Sequence, residues 1–213
     1  MMALVDYGMG NLRSVEKALA RVGADVRIVS DRKSVLAADA VVLPGVGAFG
    51  DCMANLGKLG LTEAIPEFIA TKRPFLGICL GFQALFEKSE EAPGVKGMAL
   101  FPGIVPRFAV NSLKVPHMGW NQLHIKRRDC PLLQDVVDGS RVYFVHSYYC
   151  KPASPSVVCG TTDYGIEFCS MLWADNVYAT QFHPEKSQAV GLKMLENFVK
   201  LEKKTGDRRQ ETE

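Results

Sequence analysis

At 213 residues, 47% of them hydrophobic, the chain is long enough to bury a large core and to form one α/β domain. Its formal net charge is +2 and its basic and acidic residues are interspersed, so it presents no one-signed field of the kind that nucleic-acid binders use, and nucleic acid is not an expected partner. No apolar run approaches the ~20 residues of a membrane-spanning helix, and the six cysteines form no C-x-x-C pair and follow no leader pattern, so free thiols and a cytoplasmic location are expected.

The first half alternates short apolar runs with amphipathic stretches. Ala3-Leu4-Val5 is followed by Leu12 to Val22, where Leu12, Val15, Leu19 and Val22 recur at helical spacing behind Asn11 as N-cap. Val26-Arg27-Ile28-Val29, Ala40-Val41-Val42-Leu43 and Phe75-Leu76-Gly77-Ile78 are further short runs bounded by turn residues. This rhythm predicts parallel strands joined by helical crossovers, with helices on both faces of the sheet.

From Phe101 to Cys169 short strands alternate with Pro, Gly, Asn and Asp, as in Ile104 to Phe108 and Arg141 to Val145. That texture predicts antiparallel additions to the same sheet. A strand from Val177 to Phe182 and a helix from about Gln188 to Leu201, buried through Val190, Met194, Leu195 and Phe198, close the fold. The domain is expected to span 1–202, and the charged segment 203–213, which lacks apolar periodicity, to be a frayed tail.

Gly77-Ile78-Cys79-Leu80-Gly81 joins an apolar strand to a helical segment, Phe82 to Glu87, in the form of a nucleophile elbow with Cys for Ser. An elbow holds its nucleophile in a strained backbone conformation, and the flanking glycines relieve the crowding. The helix start offers positive partial charge to a thiolate. The motif by itself also fits an inert buried thiol. A nucleophilic thiol needs a base and an orienting group, and Gln181-Phe182-His183-Pro184-Glu185-Lys186-Ser187 offers both after the last apolar strand. In extended chain His183 and Glu185 point the same way, so Glu185 could fix the tautomer of His183. The chemistry is acyl transfer from an amide through a thioester. The backbone N–H of Leu80 is one oxyanion donor, and Pro44-Gly45-Val46-Gly47, after the strand Ala40 to Leu43, is a source of a second.

Gly-Ile-Cys-Leu-Gly-Phe-Gln, Phe-His-Pro-Glu-Lys-Ser and Pro-Gly-Val-Gly together resemble the triad-type (class I) glutamine amidotransferases. Asp6-Tyr7-Gly8-Met9-Gly10-Asn11-Leu12 and Pro116-His117-Met118-Gly119-Trp120-Asn121 narrow the resemblance to the glutaminase subunits of imidazole glycerol phosphate synthase, over about Leu4 to Phe198. The resemblance implies a flavodoxin-like α/β fold without metal or cofactor. It also implies a heterodimer in which ammonia passes through a (β/α)₈ cyclase subunit to make imidazole glycerol phosphate and aminoimidazole carboxamide ribotide, in histidine biosynthesis. Carried onto this chain, the catalytic triad is Cys79, His183 and Glu185, and the oxyanion hole is Val46, Gly47 and Leu80. Glutamine is held by Gly47, Gln83, Glu91, Ser147 and Tyr148, and the partner meets Asn11, Trp120 and Asn121. Phe82 departs from a methionine frequent in the family, a change of apolar shape.

Two other classes fit less well. Gly8-Met9-Gly10 suggests a dinucleotide fingerprint, but Arg13 stands where its third glycine belongs. His183-Pro184-Glu185 satisfies the H-x-E of zinc deaminases, but no cysteine follows residue 169 to supply the remaining ligands.

Overall fold

Residues 1–109 and 113–210 are described by the computed structural model, 204–210 as backbone alone. The first half runs β1 (Met2–Val5), α1 (Leu12–Arg21), β2 (Val26–Val29), α2 (Arg32–Ala37), β3 (Ala40–Leu43), α3 (Phe49–Lys58), α4 (Leu61–Ala70), β4 (Phe75–Ile78) and α5 (Leu80–Gln83). The second runs β5 (Phe86–Ser89), β6 (Phe101–Val105), β7 (His117–Gln122), β8 (His124–Ile125), β9 (Arg141–His146), β10 (Lys151–Pro152), β11 (Val158–Asp163), β12 (Glu167–Ala174), β13 (Val177–Thr180) and α6 (Gln188–Gln210).

An eight-stranded sheet in the order β2-β1-β3-β4-β13-β12-β11-β8 carries the fold. Strands β2 to β13 in that order are parallel, and β12, β11 and β8 are added antiparallel. β1, β3, β4 and β13 are buried at every position, which explains their uninterrupted apolar sequences, whereas β2 at the edge exposes Arg27 and Ile28. Alternate residues serve opposite faces. Leu4, Val42 and Leu76 pack with Val15 and Leu19 of α1 and with Leu195 and Phe198 of α6. Val5, Leu43 and Phe75 pack with Leu56 of α3 and with Ile65 and Phe68 of α4. Helices therefore cover both faces, and Asn11 caps α1 by accepting from the Ser14 N–H, as expected.

Three expectations change. Ile104 to Phe108 and Arg141 to Val145 do not extend the central sheet: β6 lies between β5 and β10 in a three-stranded sheet, and β9 pairs with β7. The open edge of β13 is taken by β12, joined to it through the tight turn Asp175-Asn176 in which Asp175 has φ 54°, and β11 then follows as the next antiparallel neighbour. The helix after the elbow is a single turn, and Phe86 starts a strand instead. Ala84, Leu85 and Phe86 are apolar in succession and all fully buried, a run that one helix face cannot bury against a single layer.

The third concerns α6, whose backbone stays helical to Gln210, through most of the segment read as a tail; 211–213 lie outside the described residues. Glu196 pairs with Lys193 and Lys200 at helical spacing, and Lys, Glu and Arg are themselves good helix formers. Apolar periodicity reports which side of a helix is buried, not where the helix stops.

Candidate active site

Strands β3, β4 and β13 are adjacent and parallel, so the segments leaving their C-terminal ends meet at one place. β3 delivers Pro44-Gly45-Val46-Gly47, β4 delivers Cys79, and β13 delivers Gln181, Phe182 and His183. The Cys79 N–H donates to the Thr180 carbonyl at 2.7 Å, which ties the elbow to the strand that leads to His183.

Cys79 has φ 55° and ψ −106°, a backbone conformation that a non-glycine residue holds only under strain, as an elbow requires. Gly81 makes that turn possible: a Cβ there would fall inside the Leu43 carbonyl group of the neighbouring strand. The sulfur accepts a hydrogen bond from Gln181 Nε2 at 3.6 Å.

His183 Nδ1 and Glu185 Oε1 lie 2.8 Å apart, with both side chains almost fully buried. Their proximity arises differently from expectation. His183 is extended, but Pro184–Lys186 forms a 3-10 turn, started by a proline whose fixed φ suits the first helical position, and that turn swings Glu185 back under the ring. Burial pulls the His183 pKa down, yet electrostatic interaction and hydrogen bonding with Cys79, and then with Glu185, outweigh it and raise the pKa to about 10. With Nδ1 turned to Glu185, the buried Nε2 is the ring nitrogen left to face Cys79.

A cavity of about 290 Å³ opens over the elbow, lined by Val46, Gly47, Cys79, Leu80, Gln83, Glu91, Ser147 and Tyr148, with Pro116, Val145 and His146 completing the wall. Every residue expected to bind substrate or oxyanion is therefore brought to one cavity, while His183 and Glu185 stand behind its wall. Glu91 is held there by accepting from the Phe49 N–H at 2.8 Å. The Leu80 N–H donates to the Gly45 carbonyl at 3.4 Å. Asn11, Trp120 and Asn121 lie outside the cavity. Trp120 is 43% and Met118 63% exposed on β7, and Trp120 packs edge-on to Tyr143 at 6.0 Å. A larger cavity, about 690 Å³, lies between Tyr149, Cys150, Phe168 and Cys169; burial holds the Cys150 thiol well above its ordinary pKa and pushes Cys169 up to about 12.

The sequence reading missed Gln181 and two histidines. His146 and His117 are buried and joined Nε2 to Nδ1 at 2.9 Å; His146 Nδ1 meets the Tyr148 carbonyl at 2.8 Å, and Asn121 Nδ2 meets His117 Nε2 at 3.2 Å. A carbonyl only accepts, so His146 carries its proton on Nδ1, His117 carries its own on Nδ1, and Asn121 donates. Burial depresses the His117 pKa to about 4 and that of His146 to about 3, which keeps both neutral.

A doubly covered parallel sheet with a strained cysteine elbow beside a His–Glu pair is the site of the class-I glutamine amidotransferases, and the family model described as "Glutamine amidotransferase class-I" matches residues 3–201. Two solved structures share the fold: a glutamine amidotransferase (TM-score 0.74, 17% identity, 94% of this chain and 98% of that one) and PurLQS from Thermotoga maritima (TM-score 0.71, 18% identity, 93% and 96%). Curated relatives are nearer in sequence. The imidazole glycerol phosphate synthase subunit HisH of Geobacter metallireducens is 55% identical over 203 residues, spanning 92% of this chain and 96% of its own. That of Methanothermobacter thermautotrophicus is 52% identical over 201 residues, spanning 94% and 98%. The chain belongs to the class-I glutamine amidotransferases and, within them, to the HisH subunits of imidazole glycerol phosphate synthase. It is an enzyme subunit, and none of its described helices is long and apolar enough to cross a membrane.

Proposed function

We propose that this chain hydrolyses glutamine to glutamate and ammonia through Cys79, His183 and Glu185. The ammonia then passes to a (β/α)₈ cyclase subunit that makes imidazole glycerol phosphate and aminoimidazole carboxamide ribotide, in cytoplasmic histidine biosynthesis. The observation that carries the reading is the strained Cys79 elbow opening into the 290 Å³ cavity with the His183–Glu185 pair beside it.

The Cys79 thiolate attacks the side-chain carbonyl carbon of glutamine, and the negative charge moves to the carbonyl oxygen. His183, protonated and oriented by Glu185, gives its proton to the nitrogen as the C–N bond breaks, releasing ammonia and leaving a glutamyl thioester. Water then attacks the thioester, His183 takes one of its protons, and the C–S bond breaks to return thiolate and imidazolium and to free the γ-carboxylic acid, which gives its proton to solvent to become glutamate. Gln83, Glu91, Ser147 and Tyr148 hold the amino-acid end of glutamine, with the Glu91 carboxylate suited to its ammonium. No metal or cofactor is required.

The N–H of Leu80 and that of Val46 receive the oxyanion. The Leu80 N–H is engaged by the Gly45 carbonyl, so the hole is completed when the Gly45–Val46 peptide turns over, carrying its carbonyl away and its N–H in. A partner meeting Asn11, Trp120 and Asn121 and loaded with its ribotide drives that turn, which restrains glutamine consumption until an acceptor is present.

The test is glutamate release by the purified chain, alone and with the cyclase subunit and its ribotide ligand, with Cys79→Ala as control. Strong stimulation by the liganded partner, lost in the variant, is expected. Basal turnover without stimulation would send the ammonia to a different synthase partner, and full rate without any partner would remove the gating.

A further inference from the structure

The nucleophile has a second neighbour besides the histidine. Gln181 is fully buried, and its backbone is pinned to the sheet by an N–H donated to the Ser170 carbonyl at 2.9 Å. Its Nε2 lies 3.6 Å from Cys79 Sγ and its Oε1 3.2 Å from Gln83 Nε2, which in turn lies 3.1 Å from the Tyr148 carbonyl.

The orientation of both carboxamides follows from that carbonyl. It only accepts, so Gln83 must present its NH₂ there; the other hydrogen of the same NH₂ goes to Gln181 Oε1, and Gln181 is left with its NH₂ toward sulfur. Rotating either amide would set like atoms against each other inside a buried cluster, at the cost of unsatisfied polar groups. The sulfur therefore faces a fixed donor, and that hydrogen bond strengthens as negative charge gathers on its acceptor.

We infer that Gln181 is a positioning residue for the nucleophile: its amide N–H holds the Cys79 sulfur in place and, through Gln83, ties the sulfur to the wall of the glutamine cavity. Glutamine that reorients Gln83 on binding thereby acts on the amide that grips the sulfur. The inference rests on Cys79 being the nucleophile for its effect on turnover, but its effect on the sulfur is measured independently of turnover.

The experiment follows iodoacetamide alkylation of Cys79 across a pH series, read by mass spectrometry of the Cys79 peptide, alongside glutaminase kinetics of the chain in complex with its partner. Gln181→Met keeps the volume and removes the donor; Gln181→Glu keeps the acceptor for Gln83 and removes the donor, and it decides the matter if the methionine variant does not fold. Alkylation at neutral pH is expected to slow about tenfold, with kcat reduced about tenfold and KM within about twofold of the parent. An alkylation profile that matches the parent in a folded variant would overturn the inference. Turnover of glutamine by Cys79→Ala would overturn the nucleophile reading instead, and the alkylation profile would still decide the role of Gln181.

Discussion

The backbone N–H of Leu80 donates to the carbonyl of Gly45, 3.4 Å away across two adjacent strand ends. The group expected to stabilise an oxyanion is thus occupied by the loop expected to supply its companion donor, and one peptide rotation changes both. Gly45 also sits against Tyr7, whose hydroxyl occupies the place a Cβ would take, with the Leu80 Cβ 2.9 Å from it on another side.

Gly45→Ala should therefore lower stability by about 1–3 kcal/mol through overpacking. Combining it with Tyr7→Phe, which removes the obstructing oxygen, should recover part of the loss. Urea denaturation of the two single variants and the double variant measures this, and additive losses would show that the hydroxyl is not the obstacle.

The raised His183 pKa has a sign that can be checked. In the folded chain the imidazolium persists to about pH 10, whereas in the unfolded chain it is lost near 6.5. Its stabilisation is complete below about pH 6.5 and disappears as pH rises through about 10, so unfolding free energy should fall across that window. Glu185→Gln removes one of the causes, so the fall should be shallower, and turnover should drop on the order of 10³-fold as the ring loses its orienting partner. Denaturation curves at both ends of the window, with glutamate release, test both statements.

His117 and His146 act on the acid side. Their pKa values are depressed by burial to about 4 and about 3, so the unfolded chain takes up protons near 6.5 that the folded chain refuses. The contribution of this pair is complete above about pH 6.5 and should be lost as pH falls through about 4 toward about 3. His117→Gln, which keeps a donor and an acceptor on β7, should flatten this limb in a pH series of thermal melts.

Trp120→Ala should weaken association with the partner subunit by about 10–100-fold and leave the unfolding midpoint of the isolated chain nearly unchanged, because this half-exposed ring supports little of the core. Titration of the partner by calorimetry reads the affinity directly, and unchanged affinity would move the interface elsewhere.

Local chemistry was legible where one residue type dictates one geometry. Cys79 between two glycines announced the strained turn, and the buried runs of β1, β3 and β4 announced a doubly covered sheet. What failed was competition among distant segments. Ile104 and Val142 read as well for a central sheet as the β11–β12 hairpin did, and the tight Asp175-Asn176 turn decided between them. Glu185 lies against His183, but through a 3-10 turn set by Pro184 and not through extended chain. Gln181 stood in plain view before Phe182 and His183, but the aim of a buried carboxamide depends on the Tyr148 carbonyl, which no local pattern connects to it.

The hydrogen bond from Cys79 to Thr180 joins segments made far apart in time during synthesis: Gln181, the next residue of that strand end, is 102 positions beyond the cysteine. The ribosome releases Cys79 long before His183, and β13, which must slot between β4 and β12, is the last of the sheet's described strands to be made. A chain still being made, or one cut short before β13, thus carries its cysteine without the histidine proposed to work with it. The order of strands in the sheet makes synthesis through β13 a condition of the proposed chemistry.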